Sequence, residues 1–243
     1  IIDSSATGTV TADGDDVGGL VGEFDGGEID NASATGDVHS PAGGIGGLVG
    51  DHDPAGHITD SYATGDVDGS SFTGGLVGTM RAGNVTDSYA TGDISGDGDH
   101  SIGGLIGWNI DGDYIVDSYA TGNVTASTTD GQIGGLIGQH DGADIISSNA
   151  SGTVDGTDSV GGLIGDTDSG SVIHSNATGS VTGDEYVGGL LGTARSGSGN
   201  VSSSHATGSV NGNNRVGGLA GRFRGDYLKN SYATGNVDDT GTS

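Results

Sequence analysis

Residues 61–78 read Ser-Tyr-Ala-Thr-Gly-Asp-Val-Asp-Gly-Ser-Ser-Phe-Thr-Gly-Gly-Leu-Val-Gly, and two blocks within them recur along the whole chain. The first, Ser-Tyr-Ala-Thr-Gly-Asp-Val at 61–67, returns in nine variants between Ser4 and Val237. The second, Gly-Gly-Leu-hydrophobic-Gly, lies at 18–22, 46–50, 74–78, 103–107, 134–138, 161–165 and 188–192, and again at 217–221 with Ala220 in the hydrophobic slot. A period near 28 residues marks a repeat architecture, whose units are too small to bury a core singly and must stack on their neighbours.

Aligning the repeats on the Thr of Ala-Thr-Gly shows where length varies. An aliphatic residue always stands six places before it (Ile1, Ile29, Ile58, Val85, Ile115, Ile145, Val172, Val201, Leu228), and Val or Ile three places after. From that Val or Ile to the Leu of Gly-Gly-Leu the gap runs from 9 to 12 residues, and from that Leu to the next aliphatic residue from 9 to 11. Insertions are thus confined to two loops per turn.

Within the fixed block the period is two: Ser61, Ala63, Gly65 and Val67 share one face, and Tyr62, Thr64, Asp66 and Asp68 the other. That is the alternation of a strand with one buried side. Gly-Gly-Leu-Val-Gly supplies a second short strand and the segment around Ile58 a third. The expected fold is all-β: a parallel β-solenoid of about eight coils with three short strands per coil, wound right-handed, over residues 1–243 as one repeat domain. Helix is disfavoured, because each of the 54 glycines would cost roughly 1 kcal/mol inside one.

The eight-fold Gly-Gly-Leu-hydrophobic-Gly array resembles the GLUG motif along essentially the whole chain. The resemblance implies an extracellular β-helical stalk or adhesive region of a secreted or surface-attached protein. It brings no catalytic residues with it.

Thirty of the 33 acidic residues are Asp, against 6 basic residues, for a net charge of −27. Such a field repels nucleic acid and anionic membranes. No apolar run is long enough to span a bilayer, and cysteine is absent, so neither membrane insertion nor disulfides are expected of this stretch. The chain opens at Ile1 in mid-repeat, which reads as a segment of a longer protein or a filament subunit.

Function has to be sought in the outward columns. Tyr62, Tyr89 and Tyr119 fall in consecutive coils and are the first choice for a glycan-contacting strip, against the alternative of plain cross-strand packing. The Thr column suits a strand; an ice-binding array is disfavoured because its flanking columns are neither flat nor Thr-rich. Asp60, Asp87 and Asp117 form one acidic column, and Asp37, Asp66 and Asp93 another. Unit charges one strand apart repel by about 0.9 kcal/mol in water. Either Ca²⁺ offsets this, with Asp60, Asp66, Asp87, Asp93 and Asp117 and loop acids such as Asp97 and Asp99 as ligands, or concentrated salt does. Salt adaptation is the favoured reading, since no EF-hand or nonapeptide calcium spacing is present. His52 and His57 form only a weak metal pair.

An enzyme is not expected, because acids that repeat with the coils do not converge on one groove. The expected role is a structural spacer, filament or adhesive stalk, with a glycan- or Ca²⁺-binding module as the alternative. Finally, Glu23 and Asp25 in the first coil occupy the places held by Arg222 and Arg224 in the last. That opposition suggests head-to-tail self-association, with intrachain pairing of the arginines as the competing account.

Overall fold

A computed structural model describes residues 1–53, 56–98, 100–127, 130–197 and 199–241; Asp99 lies outside them. The described chain is all-β and winds as a parallel solenoid of about eight turns. In the coil that begins at Gly56 the strands are Gly56–Thr59, Tyr62–Ala63, Val67–Gly69, Ser71–Gly74 and Val77–Met80. Each pairs in parallel with its equivalents in the coils before and after, giving five sheets of eight or nine strands, here called first to fifth in that order. The register follows the repeat: Ile58 pairs with Ile29 and Val85, Ala63 with Ala34 and Ala90, and Val67 with Val38 and Ile94.

The three strands expected per coil are therefore five, because two of them bend in the middle. In the fixed block the alternation survives intact, with Ser61, Ala63, Gly65 and Val67 buried and Thr64, Asp66 and Asp68 exposed. The backbone nevertheless turns around Gly65, where a Cβ would sit 2.1 Å from the carbonyl oxygen of Gly36. The second bend is at Gly-Gly-Leu, where the consecutive N–H groups of Leu76 and Val77 both donate to the carbonyl of Leu105, at 2.8 and 3.0 Å. A Cβ on Gly75 would meet the Gly104 carbonyl oxygen at 2.1 Å and the Ala90 Cβ at 2.7 Å. Ala and Gly face each other there because nothing larger fits.

The remaining corner, between the first and second sheets, is made by one residue per coil in the left-handed region. Asp3, Asn31, Asp60, Asp87, Asp117, Ser147, His174, Ser203 and Asn230 all have φ between 48° and 53°, a conformation that Asp and Asn tolerate best among residues with a side chain. The Ser that follows completes the corner. Ser61 Oγ donates to the Thr59 carbonyl (2.7 Å) and accepts the N–H of Ala32 in the preceding coil (3.0 Å). Ser88, Ser118, Ser148, Ser175 and Ser204 repeat both bonds.

Two apolar columns fill the interior. One joins the first, second and fifth sheets through Ile58, Ala63, Leu76, Val77 and their equivalents, and the other joins the third and fourth through Val67, Ile94, Ile102 and Ile133. Length variation falls between the third and fourth sheets and between the fifth and the first, the two loops that the alignment of repeats had marked. Among the described residues no helix is long and apolar enough to cross a membrane.

Candidate functional site

Tyr62, Tyr89 and Tyr119 stack in register on the outside of the second sheet, with ring centroids 5.0 and 4.9 Å apart and planes within 3° of parallel. This is the strand spacing, so the rings follow the backbone ladder. Each ring covers its neighbour's face. The strip therefore offers edges to solvent, and a sugar would find a free ring face only at the outer sides of Tyr62 and Tyr119. Burial, then the neighbouring Tyr119 and Tyr62, push the Tyr89 hydroxyl pKa upward. Asn176 continues the column, its Nδ2 donating to Asn149 Oδ1 (2.9 Å), and His205 stacks on Tyr232 at 5.0 Å.

The candidate calcium ligands divide into two structural roles. Asp60, Asp87 and Asp117 are the left-handed corner residues described above. Asp66 and Asp93 belong to a ladder along the outside of the next bend: Asp37 Oδ1 accepts the N–H of Asp66 (3.0 Å), Asp66 Oδ1 that of Asp93 (2.8 Å), and Asp93 Oδ1 that of Asn123 (2.7 Å). Asn123 passes the pattern on to Thr153. One oxygen of each carboxylate is thus occupied by backbone. Among the described residues no three His, Asp or Glu side chains are placed to share a metal ion. His57 accepts the N–H of Asn84 at 3.3 Å, whereas His52 is fully buried against Phe24, with ring centroids 5.4 Å apart.

Glu23 and Arg222 do occupy one column, the outward face of the fifth sheet, which runs Glu23, Asp51, Thr79, Trp108, Gln139, Asp166, Thr193, Arg222. They stand at its opposite ends. Asp25 and Arg224 lie just past the strands Val21–Phe24 and Ala220–Phe223. Arg222 already has an intrachain neighbour, its guanidinium lying 5.6 Å from the Tyr186 ring centre.

That column borders a feature that the sequence alone did not reveal. The fourth and fifth sheets fold back from the Gly-Gly-Leu bend, so their outer faces meet along a narrow cleft in which Thr79, Ser159, Asp166 and Thr193 are buried. Side chains meet across it: Ser159 Oγ and Thr193 Oγ1 at 3.0 Å, Ser101 Oγ and Gln139 Oε1 at 3.3 Å, and the Phe72 and Trp108 rings at 4.8 Å. Four of the chain's five arginines are here. Arg81 grips Asp51 with Nε and Nη2 (2.9–3.2 Å), Arg195 reaches Asp166 at 2.5 Å and Asp168 at 3.4 Å, and Arg215 pairs with Glu185 while its guanidinium lies 4.7 Å from the Tyr186 ring centre. Asp141 accepts from the Trp108 indole (3.1 Å) and the Gln139 amide (2.9 Å). Burial pushes the Asp166 carboxyl up to about 6, against the opposing pull of Arg195. The signal was in the sequence: the third residue after each Leu varies from Asp to Trp to Arg where most other columns keep one type.

Three segments, residues 13–38, 42–68 and 129–155, match the family model described as the GLUG motif. They cover about a third of the chain and confirm the resemblance drawn from the Gly-Gly-Leu array. No curated protein and no solved structure matches the chain.

Proposed function

We propose that this chain is a non-enzymatic scaffold of an extracellular surface, a stalk or filament segment with an adhesive role in a salt-rich setting. The observation that carries the reading is the ladder itself: five parallel sheets keep one register through every described coil. The fold thereby gains length at a constant cross-section. Side chains on its outside repeat at the strand spacing, an arrangement suited to multivalent contact with other surface components.

The terminal coils support growth of the stack. Ile1, Ile2, Leu228, Tyr232 and Val237, members of columns buried elsewhere or adjacent to them, are exposed there. Further coils, whether of the same chain or of a second copy, would cover them and pair the open strand edges. With a second copy, Glu23 and Asp25 would meet Arg222 and Arg224, each ion pair adding only about 0–1 kcal/mol. Strand pairing would supply the adhesion and the charges its polarity. Sedimentation and electron microscopy test this part: end-to-end rods that form less readily when Arg222 and Arg224 are both changed to Asp support it, and a monomer at all concentrations removes it. The surface assignment is tested separately by labelling intact and lysed cells with an antibody to the folded chain. Labelling only after lysis would refute it.

A further inference from the structure

We propose that the cleft between the fourth and fifth sheets carries, beside Phe72, a binding site for a neutral pyranose unit of a glycan. This goes beyond the scaffold role and uses a surface separate from the tyrosine strip.

Among the described residues Phe72 is the one aromatic side chain at a left-handed position of the fourth sheet. Phe72 has φ 52°, a left-handed conformation that bulky residues rarely adopt. The aligned positions of the two preceding coils are Asp16 (φ 56°) and Gly44 (φ 71°), residue types that suit it, and that of the last coil is Arg215 (φ 53°). Strain of this kind gathers at binding sites, where the surrounding structure holds it in place. Here the hold comes from the following coil, whose Trp108 ring stacks on Phe72 at 4.8 Å and 25° and whose His100 ring tilts against it at 4.9 Å. With that side backed, the other side of the Phe72 ring faces the preceding coil.

There the chain supplies no side chain. Gly43 and Gly44 form a floor between Phe72 on one side and Asp16 on the other: a Cβ on Gly43 would lie 3.7 Å from Phe72 Cδ2, and one on Gly44 would lie 2.5 Å from Asp16 Oδ1. Thr79 of the fifth sheet and Arg81 just past its strand close the opposite wall, and Asp15, Ala42, Ser70, Ser71 and His100 complete the lining. The resulting pocket is about 450 Å³, within the range that holds small organic ligands.

The chemistry selects the ligand. A pyranose presents an apolar face of C–H groups, which an aromatic wall accommodates, and a rim of hydroxyls that both donate and accept. The lining offers acceptors in Asp15 and Asp16 and donors in Arg81 and the Ser and Thr hydroxyls. Arg81 is held in place by its two-pronged grip on Asp51. Acidic sugars are disfavoured because the three carboxylates outnumber the one guanidinium. Burial, with Asp51, Asp15 and Glu23, raises the Asp16 pKa, a sign of the same negative field. An ammonium group brings no acceptor and would leave Arg81 unanswered.

Trp108 is the only tryptophan in the chain, so its emission reports on the pocket. The whole chain is titrated with neutral oligosaccharides of glucose, galactose, mannose and N-acetylglucosamine, and in parallel with choline, following fluorescence and calorimetric heat. The expected result is saturable binding of at least one neutral oligosaccharide, weakened at least about tenfold by Phe72→Gly and unchanged when Tyr62, Tyr89 and Tyr119 are all replaced by Ala. Gly suits the left-handed position, so Phe72→Gly should fold, which a melting curve checks. Arg81→Gln provides a second variant that removes a donor without touching the strained backbone. The proposal is overturned if none of the sugars saturates, if choline alone binds, or if binding survives both Phe72→Gly and Arg81→Gln. Failure here would leave the scaffold reading standing, since that reading is tested by rod formation and surface labelling.

Discussion

Each serine of the buried corner column closes two bonds at once, because the left-handed residue before it carries the chain away from the ladder and leaves an N–H one coil back without a carbonyl. Removing one hydroxyl should therefore cost more than its size suggests. In Ser118→Ala the N–H of Ser88 loses its partner, while the Val116 carbonyl keeps only the N–H of Asp87, and a buried unpaired group costs about 1–3 kcal/mol. Ala32 is the natural gap in the column, so Ala32→Ser should give the opposite sign, a gain of about 0.5–1 kcal/mol. Thermal melts of both variants check the pair; equal and negligible shifts would show that the serines only fill space. The alternation of residues 61–68 made these serines legible as inward and small, yet their bonding was not legible. That depends on the backbone direction at Asp60, Asp87 and Asp117, whose residue type suits a corner in sequence but whose left-handed conformation is seen only in the fold.

Two buried groups of the fifth sheet titrate in opposite senses. Burial lowers the His140 pKa from its ordinary 6.5 to about 4, while Asp166 is raised from 3.8 to about 6. His140 lends stability above the unfolded value, and that stability is lost as pH falls toward about 4. Asp166 lends stability below its unfolded value, lost as pH rises through about 6. Each shift is on the order of 3 kcal/mol, so within the window from about 4 to 6.5 they largely offset one another. Replacing one group uncovers the other. Relative to the unaltered chain, His140→Asn should gain stability on moving from pH 7 to pH 4.5, and Asp166→Asn should lose it. Parallel shifts of both variants would contradict the assignment.

At the scale of the strand, the bends decide the cross-section. Gly-Gly-Leu was readable as a strand with bulky aliphatics, and its hydrophobic residues are buried in the inner coils and partly buried in the first and last. Its two glycines were not readable as a hinge, because the reason for them lies in the neighbouring coil. A Cβ on Gly104 would stand 2.1 Å from the Gly135 carbonyl oxygen and 2.9 Å from the Ala120 Cβ. Both obstacles are backbone or first side-chain atom, with no rotamer to yield. Gly104→Ala should destabilise by about 1–3 kcal/mol or more through overpacking, although Ala is usually preferred to Gly in a folded chain. Gly14→Ala is the control, since nothing lies within 4 Å of the added carbon. A circular-dichroism melt that ranks the two variants equally would remove the steric account. The same bend places the fourth and fifth sheets face to face, which is why the cleft and its arginines escape a reading made column by column.

Over the whole molecule, charge of one sign outweighs every other electrostatic effect. With −27 distributed over the coils and ladders such as Asp37, Asp66 and Asp93 in register, repulsion accumulates along the rod. Favourable pairs such as Arg81 with Asp51 are few among the described residues. Salt weakens both, but the repulsions outnumber the attractions, so added salt should stabilise the fold. The Debye length shrinks from about 10 Å at 0.1 M to about 3 Å at 1 M, below the strand spacing, and most of the gain should come within that range. Asp66→Asn with Asp93→Asn keeps the side-chain oxygens that receive the backbone N–H groups and removes two charges. The double variant should melt higher than the unaltered chain at low salt and converge with it near 1 M NaCl. Melts in NaCl and CaCl₂ at matched ionic strength separate screening from binding. Coincident curves leave screening as the cause, whereas a large extra shift at low CaCl₂, abolished in the double variant, would assign the acidic ladder to calcium and overturn the salt-adaptation account.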